Sequence, residues 1–479
     1  MDYGRAPKII LAVIGIVVAG CGSKPEQQDA SQLSASQPVS GEPDSKSAAG
    51  RESGKLTEQS TLRDYLVYAA LNNPGLEATF NRFKAAAERV AQTRALPDPR
   101  FTYRYFIEQV ETRVGAQRQS FALAQTLPWF GKLKVRGHAA LKAADAERQR
   151  YQAQKLKLFY QVKDAYYEYY YLWRAIAIVK ENKRLVEHIE SVLRTRYRAG
   201  AATHPDVIRV QVEFGKLEDQ LRTLTDLREP IMARLNEALN RQPDAPLPWP
   251  KVIENQQVSV TDTELLLWLE HTNPQVRALS FEVDRRKHEI ELAKKDYFPD
   301  VTFRLDYIDT ANSTGGRRPS DDGRDPIIGS VSMNLPIWHD KLAAGVREAR
   351  HRHLAAIRQK TQTTNSLRTA LKLAAYRFRN ANHKISLYRD TLLPKAKESL
   401  EATDASFRAG KASFTDLVDA ERILLEFELS YERALADKAQ RLAELEMLTG
   451  KEISESPTLK NSPNIQTHGR SANIGQQSP

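Results

Sequence analysis

The chain has 479 residues, of which 27% are charged, and its mean hydropathy of −0.54 excludes a bundle of apolar membrane helices. Its formal net charge of +11 would allow an anionic partner such as a nucleic acid or a lipid surface. Acidic and basic residues are interleaved along the chain, which is typical of solvated helix faces and not of a phosphate-binding stripe. The composition therefore argues against nucleic-acid binding.

The N-terminus has the layout of a secretion signal. Two basic residues precede an apolar run, Ile9 to Gly20, which is too short to span a bilayer but suits a signal peptide. The run ends in the sequence VAGC, which resembles a bacterial lipobox, and Cys21 is the only cysteine. We expect a lipoprotein signal peptide over residues 1–20 and an acylated Cys21, and by resemblance to lipoprotein sorting Gly22 favours the outer membrane. The alternative is an ordinary signal peptide with an incidental cysteine.

Two segments have compositions that cannot form a core. Residues 21–55 are rich in Ser, Gln, Pro and Gly and are expected to form a flexible tether after the acylated cysteine. Residues 454–479 have the same character and are expected to be a disordered tail. The folded part is therefore predicted to lie between them, in two repeats, 56–250 and 251–453.

The two repeats open alike. Thr61 and Thr261 each precede a helical pattern with the spacing of a capping box. Each pattern breaks at an Asn-Pro pair, Asn73-Pro74 and Asn273-Pro274, again 200 residues apart. A further helix is predicted after each break. A sequence written twice in the same order predicts two structural repeats.

Each repeat then changes to an alternating pattern. The segments LPDPRFTYRY, from Leu96, and FPDVTFRLDY, from Phe298, place apolar and polar residues on opposite faces, which predicts strands. After a polar loop, near Gly115 and near Gly315-Gly316, a second strand of nine or ten residues is predicted. These second strands end in the similar corners LPWFGK and LPIWHDK.

Long helices follow both corners. No proline occurs between Phe130 and Gly200, so an unbroken helix there would be roughly 100 Å long. The counterpart from Ile337 to Gly410 has one interruption, at Pro394. Small and apolar residues recur every three or four positions, which requires packing on other helices. The returning helices are predicted to end near Leu239 and Leu448.

Both long helices end in an RAG sequence followed by a helix-start signal. Gly200 and Gly410 suit the left-handed position that ends a helix. The predicted N-caps of the returning helices and their box partners are Thr203 with Asp206 and Ser413 with Asp416. Each motif predicts a tight helical hairpin.

Four alternating strands of this length are too few to close a transmembrane barrel. Open strand edges in lipid leave backbone groups unpaired, at a cost of several kcal/mol each. Three chains would supply twelve strands, enough to enclose a lumen that the long helices continue. The alternative is a soluble antiparallel hairpin packed on helices.

The ordered set of Asn-Pro breaks, strand corners and RAG tips resembles the TolC-like outer-membrane efflux proteins over nearly all of residues 56–453. The resemblance implies a mainly α fold with membrane β: a trimeric 12-stranded β-barrel continuing into a periplasmic α-helical barrel. It implies a passive exit duct of a tripartite efflux pump, without catalysis and without a cofactor beyond the lipid on Cys21. The implied partners are a homotrimer, a periplasmic adaptor, an inner-membrane efflux transporter and outer-membrane lipid.

The resemblance leaves the cargo and two other functions open. LPWFGK is similar to the corner of members paired with heavy-metal pumps, so metal cations or drugs are candidate cargo, and no metal site is expected. His351 and His353 are interpreted as solvated helix residues. The alternatives are a type I protein secretion duct and a lipid-anchored periplasmic coiled-coil scaffold.

The resemblance also implies roles for individual residues. Asp416 and Asp419 match the acids that gate the periplasmic aperture, although Asp416 also fits a helix cap and Arg209 stands where the first tip would need its second acid. Trp129 and Trp338 are expected at the membrane interface. The residues expected to dock the adaptor are Arg198, Gly200, Asp206, Arg408 and Gly410.

Overall fold

The fold is given by a computed structural model, which describes residues 56–250, 253, 258–313 and 320–453. The expected signal peptide, Cys21, the tether, the C-terminal tail and the Gly315-Gly316 loop lie outside the described residues. The predictions made for those segments therefore stay predictions.

The first repeat contains five helices and two strands in the predicted order. Its elements are α1 (Leu62–Asn72), α2 (Pro74–Arg94), β1 (Arg100–Thr112), β2 (Gly115–Leu127), α3 (Lys132–Arg198), α4 (His204–Asp226) and α5 (Arg228–Ala238). The single long helix predicted after LPWFGK is confirmed, because α3 runs for 67 residues without a break.

The second repeat follows the same plan. Its elements are α6 (Asp262–Thr272), α7 (Pro274–Lys295), β3 (Val301–Thr310), β4 (Ile327–Met333), α8 (His339–Leu387), a π-helical turn (Tyr388–Leu392), α9 (Leu393–Arg408) and α10 (Phe414–Thr449). Among the described residues, no helix is both long and apolar enough to cross a membrane.

Two prolines explain where the helices differ from the prediction. The returning helix of the first repeat divides at Leu227 into α4 and α5, because Pro230 cannot donate a hydrogen bond to the carbonyl four residues earlier. In the second repeat the chain adjusts to Pro394 with the π-helical turn, in which the Leu393 N–H donates to the Tyr388 carbonyl.

The four strands form one antiparallel sheet in the order β1-β2-β3-β4. The pairing of β2 with β3 joins the two repeats, with Phe121 opposite Tyr307 and Leu123 opposite Leu305. The strands have 13, 13, 10 and 7 residues, so the first hairpin is longer and the last strand shorter than predicted. Each outer strand, β1 and β4, has one edge without a partner in the described part of the chain.

The outer strands of this sheet expose large apolar side chains. In β1 the four side chains of the predicted apolar face are all exposed: Phe101, Tyr103, Tyr105 and Ile107, the last of which is 91% accessible. In β4, Val331 and Met333 are likewise exposed. A row of exposed apolar residues on a strand is unusual in water and is expected where the strand meets lipid.

Within the described part of the chain the helices pack into three apolar clusters, two of which are equivalent. In the first repeat Tyr65 and Ala69 of α1 pack with α3 and α5. In the second repeat Leu265 and Leu269 of α6 pack with α8 and α10. The third cluster lies near the tips and joins α3 and α4 to α9 and α10, so it is the core shared by the two repeats there.

The two Asn-Pro breaks each tie three helices together. Asn273 Oδ1 accepts a hydrogen bond from the Val276 N–H at 3.0 Å, which caps α7, and its Nδ2 donates to the Leu448 carbonyl near the end of α10 at 2.8 Å. Asn73 does the same at the start of α2, and its Nδ2 donates to the Ala238 carbonyl of α5 at 3.2 Å. Each asparagine therefore links the first two helices of its repeat to the last.

Replacing Asn273 with alanine is expected to lower the free energy of unfolding by about 2 kcal/mol, because a cap and a buried hydrogen bond are both lost. Asn73→Ala, the matched variant in the first repeat, is expected to cost about 1 kcal/mol, since Asn73 is more exposed. Thermal denaturation in detergent would measure both changes. Equal losses, or none, would contradict this account.

Candidate functional sites at the strand-to-helix junction and the helical tips

The LPWFGK corner is held by packing against the segment of the second repeat that leads into β3. The Trp129 indole stacks on the Phe298 ring, with centroids 5.1 Å apart and planes 9° from parallel. Gly131 has φ = 77°, a left-handed conformation that glycine adopts without strain, and it directly precedes α3. The chain therefore turns sharply from strand to long helix at a position braced by the other repeat.

Lys132 is the buried centre of this junction and is only 3% exposed. Its ammonium lies 3.0 Å from Asp300 Oδ1 and 3.4 Å from Asp296 Oδ1. The Trp129 N–H also donates to Asp300 Oδ1, at 2.8 Å. Burial alone would raise the pKa of Asp300, but these bonds from Trp129 and Lys132 lower it overall. An ion pair between Lys132 and Asp300 thus joins the two repeats at this junction.

The two tryptophans predicted at the membrane interface have different surroundings. Trp129 is partly covered by its stack on Phe298, whereas Trp338 is 72% exposed at the start of α8. An exposed indole next to an apolar strand end is suited to a headgroup layer. The interfacial role stays a prediction for both residues, and the exposure favours Trp338.

The two tips, residues 199–203 and 409–413, have the same backbone. Gly200 and Gly410 have φ values of 74° and 72°, as a left-handed helix end requires. In each tip the N–H that follows the glycine donates to a carbonyl five residues earlier, Ala201 to Arg196 and Lys411 to Ser406, both at 2.8 Å. The predicted hairpins are confirmed.

Arg196, in the last turn of α3, joins this helix to the last turn of α9, a contact that the sequence pattern does not indicate. Its guanidinium donates to the carbonyls of Phe407 and Arg408, both at 2.8 Å, and lies 4.5 Å from the centre of the Phe407 ring. The cation therefore occupies the negative end of α9. Arg198 and Arg408 remain exposed beside this link, and the docking role assigned to them stays a prediction.

Asp206 and Asp416 both act as helix caps. Asp416 Oδ2 accepts hydrogen bonds from the Ser413 hydroxyl at 2.7 Å and the Ser413 N–H at 2.9 Å, and these bonds lower its pKa. Asp206 makes the same contacts with Thr203, at 2.6 Å to the hydroxyl and 3.2 Å to the N–H. The capping role predicted for both residues is confirmed by these contacts.

Asp419, the other predicted aperture acid, is exposed and belongs to a network of charged side chains that connects α10 to α4. Arg422 Nη1 lies 3.3 Å from Asp419 Oδ1, and Arg422 Nη2 forms a second, short bond to Glu213 of α4. One helical turn closer to the tip, Arg209 of α4 donates to the Thr415 hydroxyl at 2.7 Å. Arg209, which stands where the first tip would need its second acid, thus links α4 to α10.

The described residues hold no group of three or more His, Cys, Asp or Glu side chains arranged to bind a metal ion. His351 is exposed on α8 and His353 is half-buried, with an Nδ1 that has no hydrogen-bond partner among the described residues. These two histidines are too few to form a metal centre by themselves.

The sequence profile described as "Outer membrane efflux protein" matches residues 66–241 and 269–451, one match in each repeat. The chain belongs to the outer membrane efflux protein family. This membership places it in the outer membrane and confirms the TolC-like resemblance. Members of this family are channels rather than enzymes.

Two relatives and a solved structure extend the comparison. The cobalt-zinc-cadmium resistance protein CzcC of Cupriavidus metallidurans is 21% identical over 82% of this chain and 90% of its own length. The outer membrane protein TolC of Vibrio cholerae is 24% identical over 79% of this chain and 88% of its own length. A crystal structure of CusC has a TM-score of 0.70 at 15% identity, covering 81% of this chain and 92% of that one. The last comparison confirms the efflux-channel fold.

Proposed function

We propose that three copies of this chain form the outer-membrane exit duct of a tripartite efflux complex, joined by a periplasmic adaptor to an inner-membrane transporter. The observation that carries the proposal is the four-stranded sheet, whose outer edges have no partner among the described residues and whose outer strands expose apolar side chains. Unpaired backbone groups cannot face hydrocarbon, so the edges of β1 and β4 need partners from other copies. Twelve strands from three copies would enclose a lumen.

Toxic metal cations are the proposed cargo, with drugs as the second class. The similarity to a cobalt-zinc-cadmium resistance protein supports metal cations, as does the LPWFGK corner. A duct needs no metal-binding centre, because ions pass through it without being held. Asp419, exposed beside the second tip, would contribute one carboxylate per copy to a ring that attracts cations.

The mass of the detergent-solubilised protein and its conductance in planar bilayers test the duct together. A trimer that forms ion-conducting pores is expected. A monomer without pores would overturn the proposal and favour the periplasmic scaffold.

The metal content of cells tests the proposed cargo. Cells that lack this protein should accumulate zinc, cobalt or cadmium, and restoring the protein should reverse this accumulation. Unchanged metal content with altered drug tolerance would instead assign drugs as the cargo.

Asp419→Ala is expected to raise single-channel conductance severalfold and to weaken cation preference, because the variant removes one carboxylate per copy from the narrow end of the pore. Asp219→Ala removes an exposed carboxylate from α4 farther from the tip and serves as the control. Unchanged conductance and selectivity in Asp419→Ala would exclude the acidic ring.

A further inference from the structure

One carboxylate near the tips is buried where the helix pattern requires an apolar residue. Glu421 lies on the same face of α10 as Leu417 and Leu425, which belong to the apolar cluster shared by the two repeats. Glu421 is 1% exposed, and its Oε1 has no hydrogen-bond partner in the described part of the chain. Burial in this position strongly disfavours the charged form of the Glu421 carboxyl group.

The charged groups that face Glu421 come mainly from α4 and α10. Glu213 of α4 adds a negative charge, as does Glu428 about two helical turns along α10, whereas Arg422 is the neighbouring cation. The Arg422 guanidinium is already bound to Glu213 and Asp419. Glu421 therefore faces another buried acid across the contact of α4 with α10.

Two charged groups at this level of α3 and α9, Lys183 and Asp404, have their own partners. On α3, Lys183 lies 3.1 Å from Glu218 and 4.7 Å from the centre of the Phe214 ring, both in α4. On α9, Asp404 lies 2.8 Å from Arg408. The next cation along α9, Lys397, acts on Glu428.

Burial raises the pKa of Glu421 to about 7, and the Glu213 charge adds to this effect, while Arg422 opposes it. Because the raised value belongs to the packed state, packing is favoured when the carboxyl is protonated. That stabilisation is fully present below the ordinary glutamate pKa and is lost as pH rises towards 7.

We propose that Glu421 is a proton-binding site that couples pH to the packing of α4 against α10 beside the second tip. When Glu421 is protonated, the two repeats pack closely there. When it ionises, two buried carboxylates oppose each other and the hairpins separate more readily. An effect of this separation on conduction through the pore rests on the proposed function, but the effect on packing does not.

Hydrogen exchange of the full-length protein in detergent, followed by mass spectrometry at pH 5 to 8, measures the packing directly. After correction for intrinsic exchange rates, opening of the first turns of α4 and α10 should increase about tenfold or more between pH 5 and 7.5. In Glu421→Gln, which keeps the shape without the charge, opening should be low and independent of pH. Glu426→Gln, an exposed neighbour on α10, should behave as wild type.

A wild-type opening constant that does not change with pH, or the same pH dependence in Glu421→Gln, would overturn the proton site. Glu421→Leu supplies a second neutral variant and should also abolish the pH dependence. Bilayer conductance recorded in parallel separates the two proposals. Pores with pH-independent packing would reject the proton site alone, whereas pH-dependent packing without pores would support the site and reject the duct.

Discussion

Lys132→Met is expected to lower the free energy of unfolding by about 3 kcal/mol, because it removes one member of a buried ion pair. Asp300 keeps the N–H of Trp129 but loses the ammonium at 3.0 Å, and the partly exposed Asp296 loses its contact at 3.4 Å. Methionine has a similar volume, so the loss reports the charge and not a cavity. Thermal denaturation in detergent, followed by circular dichroism, measures the change.

The matched control for this variant is Lys134→Met. Lys134 lies two residues along α3 and is exposed, so its replacement is expected to change stability by less than about 0.5 kcal/mol. If both variants are equally stable, the junction does not depend on the buried pair. The double variant Lys132→Met with Asp300→Asn should be less than additive, since the two side chains form one interaction.

The order and type of the elements were predictable because their signals are local. The change from a period of two to a period of 3.6 marks each strand-to-helix corner, and glycine followed by a capping box marks each tip. Repetition strengthened every signal, since each motif occurred twice. The strand ends and the π-helical turn were less predictable, because pairing and helix packing decide them.

The contacts between the repeats were not predictable from the same signals. Lys132 with Asp300 and Arg196 with Phe407 join residues far apart in sequence, and the rotation of each helix about its axis decides which side chains meet. The second role of the Asn-Pro asparagines is hidden for the same reason. The sequence indicates that a helix begins after each asparagine, but not that its side chain also donates to a carbonyl far away in the chain.

Glu421 carries a signal in the sequence itself. Its spacing of four residues from both Leu417 and Leu425 places an acid in an apolar stripe of α10. Only the fold shows that a second buried acid, Glu213, faces it from the other repeat. The resemblance indicates Asp416 and Asp419 as aperture acids but gives no role to Arg422, which connects Asp419 to Glu213.

Arg422→Gln is expected to destabilise the tip region by about 2 kcal/mol and to increase pore conductance. Glu213 has a side chain that is only 7% exposed, and in the variant it loses its main cation while still facing Glu421. Removing one partner from a buried pair leaves an uncompensated charge, although Lys216, at 3.4 Å from Glu213, and the exposure of Arg422 reduce the loss. Separation of α4 from α10 would hydrate both acids and, in the proposed duct, widen the pore.

The pH dependence of this variant distinguishes a lost charge pair from a lost packing contact. The hydrogen bond from Arg422 lowers the pKa of Glu213 against the opposing effect of burial, so the pair stabilises the protein above the ordinary glutamate pKa and loses this effect as pH falls. Arg422→Gln should therefore differ more from wild type near pH 8 than near pH 4. Arg222→Gln, whose exposed partner Asp226 lies 3.9 Å away on α4, should match wild type throughout. A deficit of equal size at both pH values would show that Arg422 acts through packing, and the charged link between α4 and α10 would then have no part in closing the pore.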